Sequence, residues 1–200
     1  MDDEFRFRSR TEAELLPRER GLVELVGVLE SLGAPYFLAD GTLLGTARDG
    51  DFIPWDDDTG LCMKAEDFVI YKSRIAHRLE SSGFSVKFGH RRNPKLNSFK
   101  YGEKFELTAW KLRGSRRVRW GLQFPAYLLN NPGQIELRGR QYPCPNPYED
   151  YLIFRYGEDW RTPKVGRGTH ALNSKTQWSL IKRRLRQQSP GWLLKIFGKL

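Results

Sequence analysis

Three consecutive carboxylates, Asp56, Asp57 and Asp58, follow Pro54 and Trp55 within the run DGTLLGTARDGDFIPWDDDTGLCM that begins at Asp40. In an extended segment successive side chains alternate faces, which puts Asp56 and Asp58 on one side about 6–7 Å apart and Asp57 on the other. Two carboxylates at that spacing repel each other, and a hard divalent cation between them relieves the repulsion. Asp56 and Asp58 are therefore candidate ligands for Mg²⁺ or Mn²⁺. The plain alternative is a surface turn whose aspartates cap the next element.

A second feature of the same run favours the metal reading. Gly41 and Thr42 follow a short apolar stretch and open a helical pattern, so unpaired amides and the positive end of a helix dipole would face whatever lies beside the aspartates. A phosphate fits such a turn. Thr42 adds a hydroxyl, and Arg48 offers a planar fork for phosphate oxygens. An anion cradle beside a cation cage is the arrangement that phosphoryl transfer requires.

The elements that must position these residues are visible in the pattern. Thr11 and Glu14 have capping-box spacing, and Leu22, Leu25, Val26, Leu29 and Leu32 recur at helical intervals until Gly33, with Pro17 expected to delay the start. Tyr36 to Ala39 reads as a strand running into a helix at Leu43 to Arg48. Asp56 to Met63 reads as a second strand, Ala65 to Ser82 as a helix, and Phe84–Phe88, Phe105–Trp110 and Val118–Leu122 as further strands. Turns fall at Asn93-Pro94 and Gly114. Beyond Pro125 the signals weaken: Asn130-Asn131-Pro132-Gly133 and Tyr142-Pro143-Cys144-Pro145-Asn146-Pro147 have loop chemistry, followed by a helix from Tyr148 to Tyr156.

The stretch GTLLGTARDGDFIPWDDD resembles the signature of the LicD/fukutin family, within the nucleotidyltransferase superfamily. Phe105-Glu106-Leu107 resembles the family's later acidic strand, and PYEDYLIFRYGEDWRTP its terminal YG-bearing helix, so the likeness runs from about Ala34 to Pro163. It implies an α/β (α+β), DNA-polymerase-β-like fold: a short mixed sheet flanked by helices, with the acidic residues on adjacent strands. It also implies an enzyme that transfers a phospho-alcohol, such as phosphocholine or ribitol phosphate, from a CDP-linked donor to a hydroxyl of a glycan or lipid-linked glycan. Carried over by position, Asp56 and Asp58 match the metal strand, Gly41 and Thr42 the donor-phosphate turn, and Arg48 the family's arginine. Glu106 stands where the family usually has Asp, either completing the cage or accepting the acceptor's proton. Gly60 stands where a further metal-ligating Asp is usual. Either the pair Asp56/Asp58 with the longer Glu106 compensates, or the chain is a catalytically silent nucleotide- or glycan-binding module.

The chain has 200 residues, 39% of them hydrophobic, enough for one globular domain. Its two cysteines, Cys62 and Cys144, are too few for a disulfide framework, and no metal-binding Cys/His cluster occurs. The charged start and the lack of a long apolar run disfavour secretion and membrane spanning, which makes a cytoplasmic location the expectation. The net charge of +10 is uneven: residues 160–200 hold ten Lys or Arg and no acid, while the remainder balances. A neutral body with a basic tail disfavours a nucleic-acid-coating domain, which remains the second alternative.

We divide the chain into a catalytic domain, residues 1–169, and a basic amphipathic helical extension, residues 170–200. Trp178, Leu185, Trp192 and Phe197 interleave there with lysines and arginines, which suits an anionic membrane surface as well as a helix packed on the domain. Lys95, Lys100, Arg113, Arg116, Arg117 and Arg119 give the middle strands a basic cast suited to an anionic donor or acceptor. His77 and His90 have no nucleophile partner in the pattern.

Overall fold

Thr11 and Glu14 close a capping box that starts helix α1, Glu12–Ser31, in the computed structural model, which describes residues 9–164. Pro17 lies inside this helix and does not delay it. Buried Leu15, Leu22, Leu25, Val26 and Leu29 form its inner stripe. Gly21 is required there by close approach: a Cβ at this position would run into the ring of Phe105. The sheet thus packs directly on the helix backbone.

Strand β1, Phe37–Leu38, leads without a loop into α2, Asp40–Asp49. Strand β2 is Thr59–Lys64 and runs into α3, Ala65–Ser81. The strands β3 (Ser85–Phe88), β4 (Lys95–Lys100) and β5 (Glu103–Arg113) follow. Their order in the sheet is β1-β2-β5-β4-β3, with β2 and β5 parallel and the other pairs antiparallel. The parallel pair is fixed by the crossover through α3, β3 and β4, and it sets Gly60 beside Glu106 and Thr59 beside Phe105. The far half of β5 continues into β6 (Arg116–Arg119) and β7 (Leu122–Pro125). A separate hairpin, β8 (Gly133–Leu137) and β9 (Arg140–Cys144), precedes α4, Tyr148–Tyr156. Phe105, Trp110, Phe124, Tyr151 and Phe154 are all buried; Trp110, Phe124 and Tyr151 stack where β5, β7 and α4 meet, while Phe105 packs beneath α1 against Phe84.

Several expectations are corrected. The second strand starts at Thr59 rather than Asp56, so the three aspartates precede it in a bend. β4 exists although its inward positions, Leu96 and Ser98, form a weak apolar pattern. The stretch expected as one strand at Val118–Leu122 turns at Trp120-Gly121 and divides between β6 and β7. Residues 133–144 form a hairpin, and Pro143 is tolerated because a two-stranded sheet has free outer edges. The extension 170–200 lies outside the described residues. Among the described residues both cysteines are buried and unbonded, and no helix is long and apolar enough to cross a membrane.

Candidate active site

Helix α2 begins one residue after β1, and β2 lies alongside, so the start of the helix faces the loop that carries the aspartates. Ala39, the cap residue, supplies no side-chain hydrogen bond, which leaves the first amides of the helix available to an anion. Asp56 lies directly against that turn, with one carboxylate oxygen in the space a side chain at Gly41 would fill. The expected convergence of acidic run and glycine turn is present.

Asp56, Asp57 and Asp58 can each offer an oxygen within 4.8 Å of the others. Because the segment is bent and not extended, alternation does not send Asp57 to the opposite face, and it joins the cluster. Burial pushes Asp56 up to about 7, with the charges of Asp58 and Asp57 adding and Arg18 opposing. Asp58 is raised as well, by burial and by Glu106 and Asp57 against the pull of Lys104. Repulsion of this kind is what a bound cation relieves, so three hard oxygen donors fit Mg²⁺ or Mn²⁺.

Thr42 is buried, and its hydroxyl accepts the Gly60 N–H at 2.7 Å, tying α2 to β2. Its side chain therefore holds the turn to the strand. Arg48 lies at the far end of α2, forks onto Asp49 (Nη2–Oδ2 2.6 Å) and stands 6.0 Å over the Trp55 ring. The structure does not bring it to the start of the helix. Glu106 stands outside the aspartate cluster, held by Lys95 at 2.5 Å and Arg119 at 2.9 Å. The link between it and the cluster is Lys104, whose ammonium is 2.7 Å from Asp58 and 3.5 Å from Glu106.

Other residues that build the site were not singled out in the sequence. Asp40 adopts a left-handed conformation, φ 50°, at the first position of α2. Its carboxylate accepts hydrogen bonds from Tyr151 at 3.0 Å and Arg155 Nε at 2.8 Å, both on α4. Burial opposes its ionisation, yet Arg155 and Arg119 hold the carboxyl below its usual range. Strain at Asp40 is thus held by a buried ion pair, and α4 clamps the turn that opens α2. On the opposite side Arg18, fully buried, pairs with Glu103 at 2.7 Å and donates to the Asp56 carbonyl at 2.8 Å. Arg10 donates to the same carbonyl. The one available signal was an arginine on the apolar stripe of α1.

A strand-helix-strand unit with an acidic cluster against a helix N-terminus defines a nucleotidyltransferase-type domain. The ANT(2")-Ia crystal structure in complex with adenylyl-2"-tobramycin shares the fold, with a TM-score of 0.52 at 14% identity over 84% of this chain and 89% of that one. The chain belongs to the LicD/FKTN/FKRP family, whose nucleotidyltransferase-domain model matches residues 33–147. Ribitol 5-phosphate transferase FKRP of Mus musculus is 56% identical over an alignment of 146 residues that covers 66% of this chain and 30% of that protein. The Homo sapiens protein of the same name matches to the same extent. Ribitol-5-phosphate transferase FKTN of Mus musculus is 26% identical over an alignment of 164 residues that covers 73% of this chain and 34% of that protein. The chain therefore spans about a third of the length of these curated relatives.

Proposed function

We propose that this chain transfers a phospho-alcohol, ribitol phosphate by analogy with its relatives, from a CDP-linked donor to a glycan hydroxyl with the help of Mg²⁺ or Mn²⁺. The observation that supports this reading is the packing of the Asp56 carboxylate against Gly41, which brings the acidic cluster beside the first amides of α2. A metal held by Asp56, Asp57 and Asp58 would neutralise charge on the donor phosphates.

The remaining work belongs to the chain's own groups. The Gly41 and Thr42 amides at the α2 N-terminus receive phosphate oxygens, an interaction worth about 0.3–1 kcal/mol in exposed settings and up to ~2 when partly buried. Lys104 stands between Asp58 and Glu106 and supplies a positive charge beside the transferred group. Glu106 gathers Lys95, Lys104 and Arg119 there, which serves as positioning. Asp40, Tyr151 and Arg155 keep the turn in its strained conformation.

Calorimetry with CDP, with and without Mn²⁺, tests the proposal. Cooperative binding of nucleotide and metal, lost in Asp58→Asn, is expected. Nucleotide binding indifferent to metal would favour the silent binding module instead, a reading supported by Gly60 where the family pattern has a carboxylate.

A further inference from the structure

On β5, Lys104 and Glu106 are two residues apart and so point to the same side of the sheet. The β2–β5 register sets Glu106 beside Gly60 and, continued one residue before the Thr59–Phe105 pair, Lys104 beside Asp58. The four positions form a square whose Gly60 corner has no side chain. The Lys104 ammonium enters this square, 2.7 Å from Asp58 Oδ2 and 3.5 Å from Glu106 Oε2. Both oxygens of Glu106 are engaged by cations, Oε2 by Lys95 at 2.5 Å as well as by Lys104, and Oε1 by Arg119 at 2.9 Å. Around this point the two carboxylates are outnumbered by Lys95, Lys104 and Arg119. On the other side of Asp58, by contrast, Asp56 and Asp57 join it in a cluster of three carboxylates. A paired-metal site needs two acid-rich positions about 3.5–4 Å apart. Here one position is acid-rich and the next holds a lysine.

We propose that Lys104 takes the place of a second divalent cation, so that the site loads a single Mg²⁺ or Mn²⁺, at Asp56, Asp57 and Asp58. A dication entering between Asp58 and Glu106 must displace the ammonium from Asp58 and then stand beside Lys95 and Arg119, and its repulsion by each is twice that of a single charge. The lysine brings one positive charge in place of two, and it brings that charge permanently, on a flexible stem that can follow a phosphate oxygen. Gly60 fits the same arrangement, because a position filled by an ammonium needs no further carboxylate. The inference rests on the metal-dependent reading above and specifies how many ions that reading involves.

Equilibrium dialysis of the whole chain against Mn²⁺ tests it, with bound metal counted by elemental analysis and its spectrum recorded by paramagnetic resonance. The sites counted are those lost in Asp58→Asn. The parent chain and Lys104→Arg are each expected to bind one Mn²⁺ with the spectrum of an isolated ion. Lys104→Glu, and with lower affinity Lys104→Gln, should bind two, with the line broadening that neighbouring Mn²⁺ ions impose on each other; thermal melting verifies folding. Two ions in the parent chain, or a single ion in either folded variant, overturns the inference and leaves the metal-dependent reading standing. No Mn²⁺ in the parent chain sinks that reading and the inference together, so the two failures are told apart.

Discussion

A carboxylate oxygen of Asp56 occupies the position that a side chain on residue 41 would need, so Gly41 and the acidic cluster are mutually exclusive with any larger residue at the turn. The glycine is therefore a steric requirement of the acidic cluster, and so of the metal site proposed for it. Gly41→Ala is expected to displace Asp56, lower Mn²⁺ affinity at least tenfold and destabilise the chain by about 1–3 kcal/mol, the usual range for overpacking. Mn²⁺ titration followed by paramagnetic resonance, together with a thermal melt, checks both.

Asp58→Asn removes a charged donor and also the partner of Lys104 at 2.7 Å. Mn²⁺ affinity should fall about 100-fold, equivalent to ~2.7 kcal/mol, and transfer from a CDP-linked donor should fall at least as far. Unaltered Mn²⁺ binding would move the cation site elsewhere.

Stability of the metal-free chain should depend on pH through Asp56. Its folded-state value of about 7 lies above that of an unfolded aspartate, about 4, so the folded form holds the proton more tightly. That contribution is complete below about pH 4 and is lost as pH rises towards 7. A divalent cation replaces the proton, so added Mn²⁺ should raise the melting temperature more at pH 8 than at pH 5. An equal increase at both values would contradict the assignment.

Arg155→Met leaves the Asp40 carboxylate buried without its main counter-charge. Breaking such a pair costs about 3–5 kcal/mol, which for a chain of this size corresponds to a fall in melting temperature of roughly 6–20 °C. Adding Asp40→Asn should recover part of the loss, and a double-mutant cycle on thermal stability measures the coupling.

Gly60→Asp places a Cβ 3.0 Å from the Ala39 carbonyl and 3.4 Å from the Asp40 Cβ. The site accepts this only by a small shift, and the new carboxylate adds to an already repelling cluster. The expected outcome is a metal-free protein less stable by about 1–3 kcal/mol whose Mn²⁺ affinity is higher than that of the parent. Parallel melts with and without Mn²⁺ separate the two effects.

The fold's local units are legible along the chain because their signals are local. The Thr11/Glu14 box, the leucine stripe of α1, the glycine stop of α3 and the Tyr148–Tyr156 helix lie within a few residues of their causes. β4 was hidden because Ser98 stands at an inward position, and β8–β9 because Pro143 and the surrounding turn residues resemble a loop. Neither strand forms by itself, since each needs partners that supply its hydrogen bonds.

By itself the sequence determined that an acidic run and a glycine-threonine turn belong to one unit, since only sixteen residues separate Gly41 from Asp57. Tertiary structure alone decided how that unit is held and what surrounds it. Tyr151 and Arg155 reach Asp40 across 111 and 115 residues, Arg18 reaches the Asp56 carbonyl across 38, and Lys104 enters between Asp58 and Glu106 because β5 runs parallel to β2. Contacts at such separations follow from the packing of whole elements, and the identities of the side chains do not encode which elements will meet.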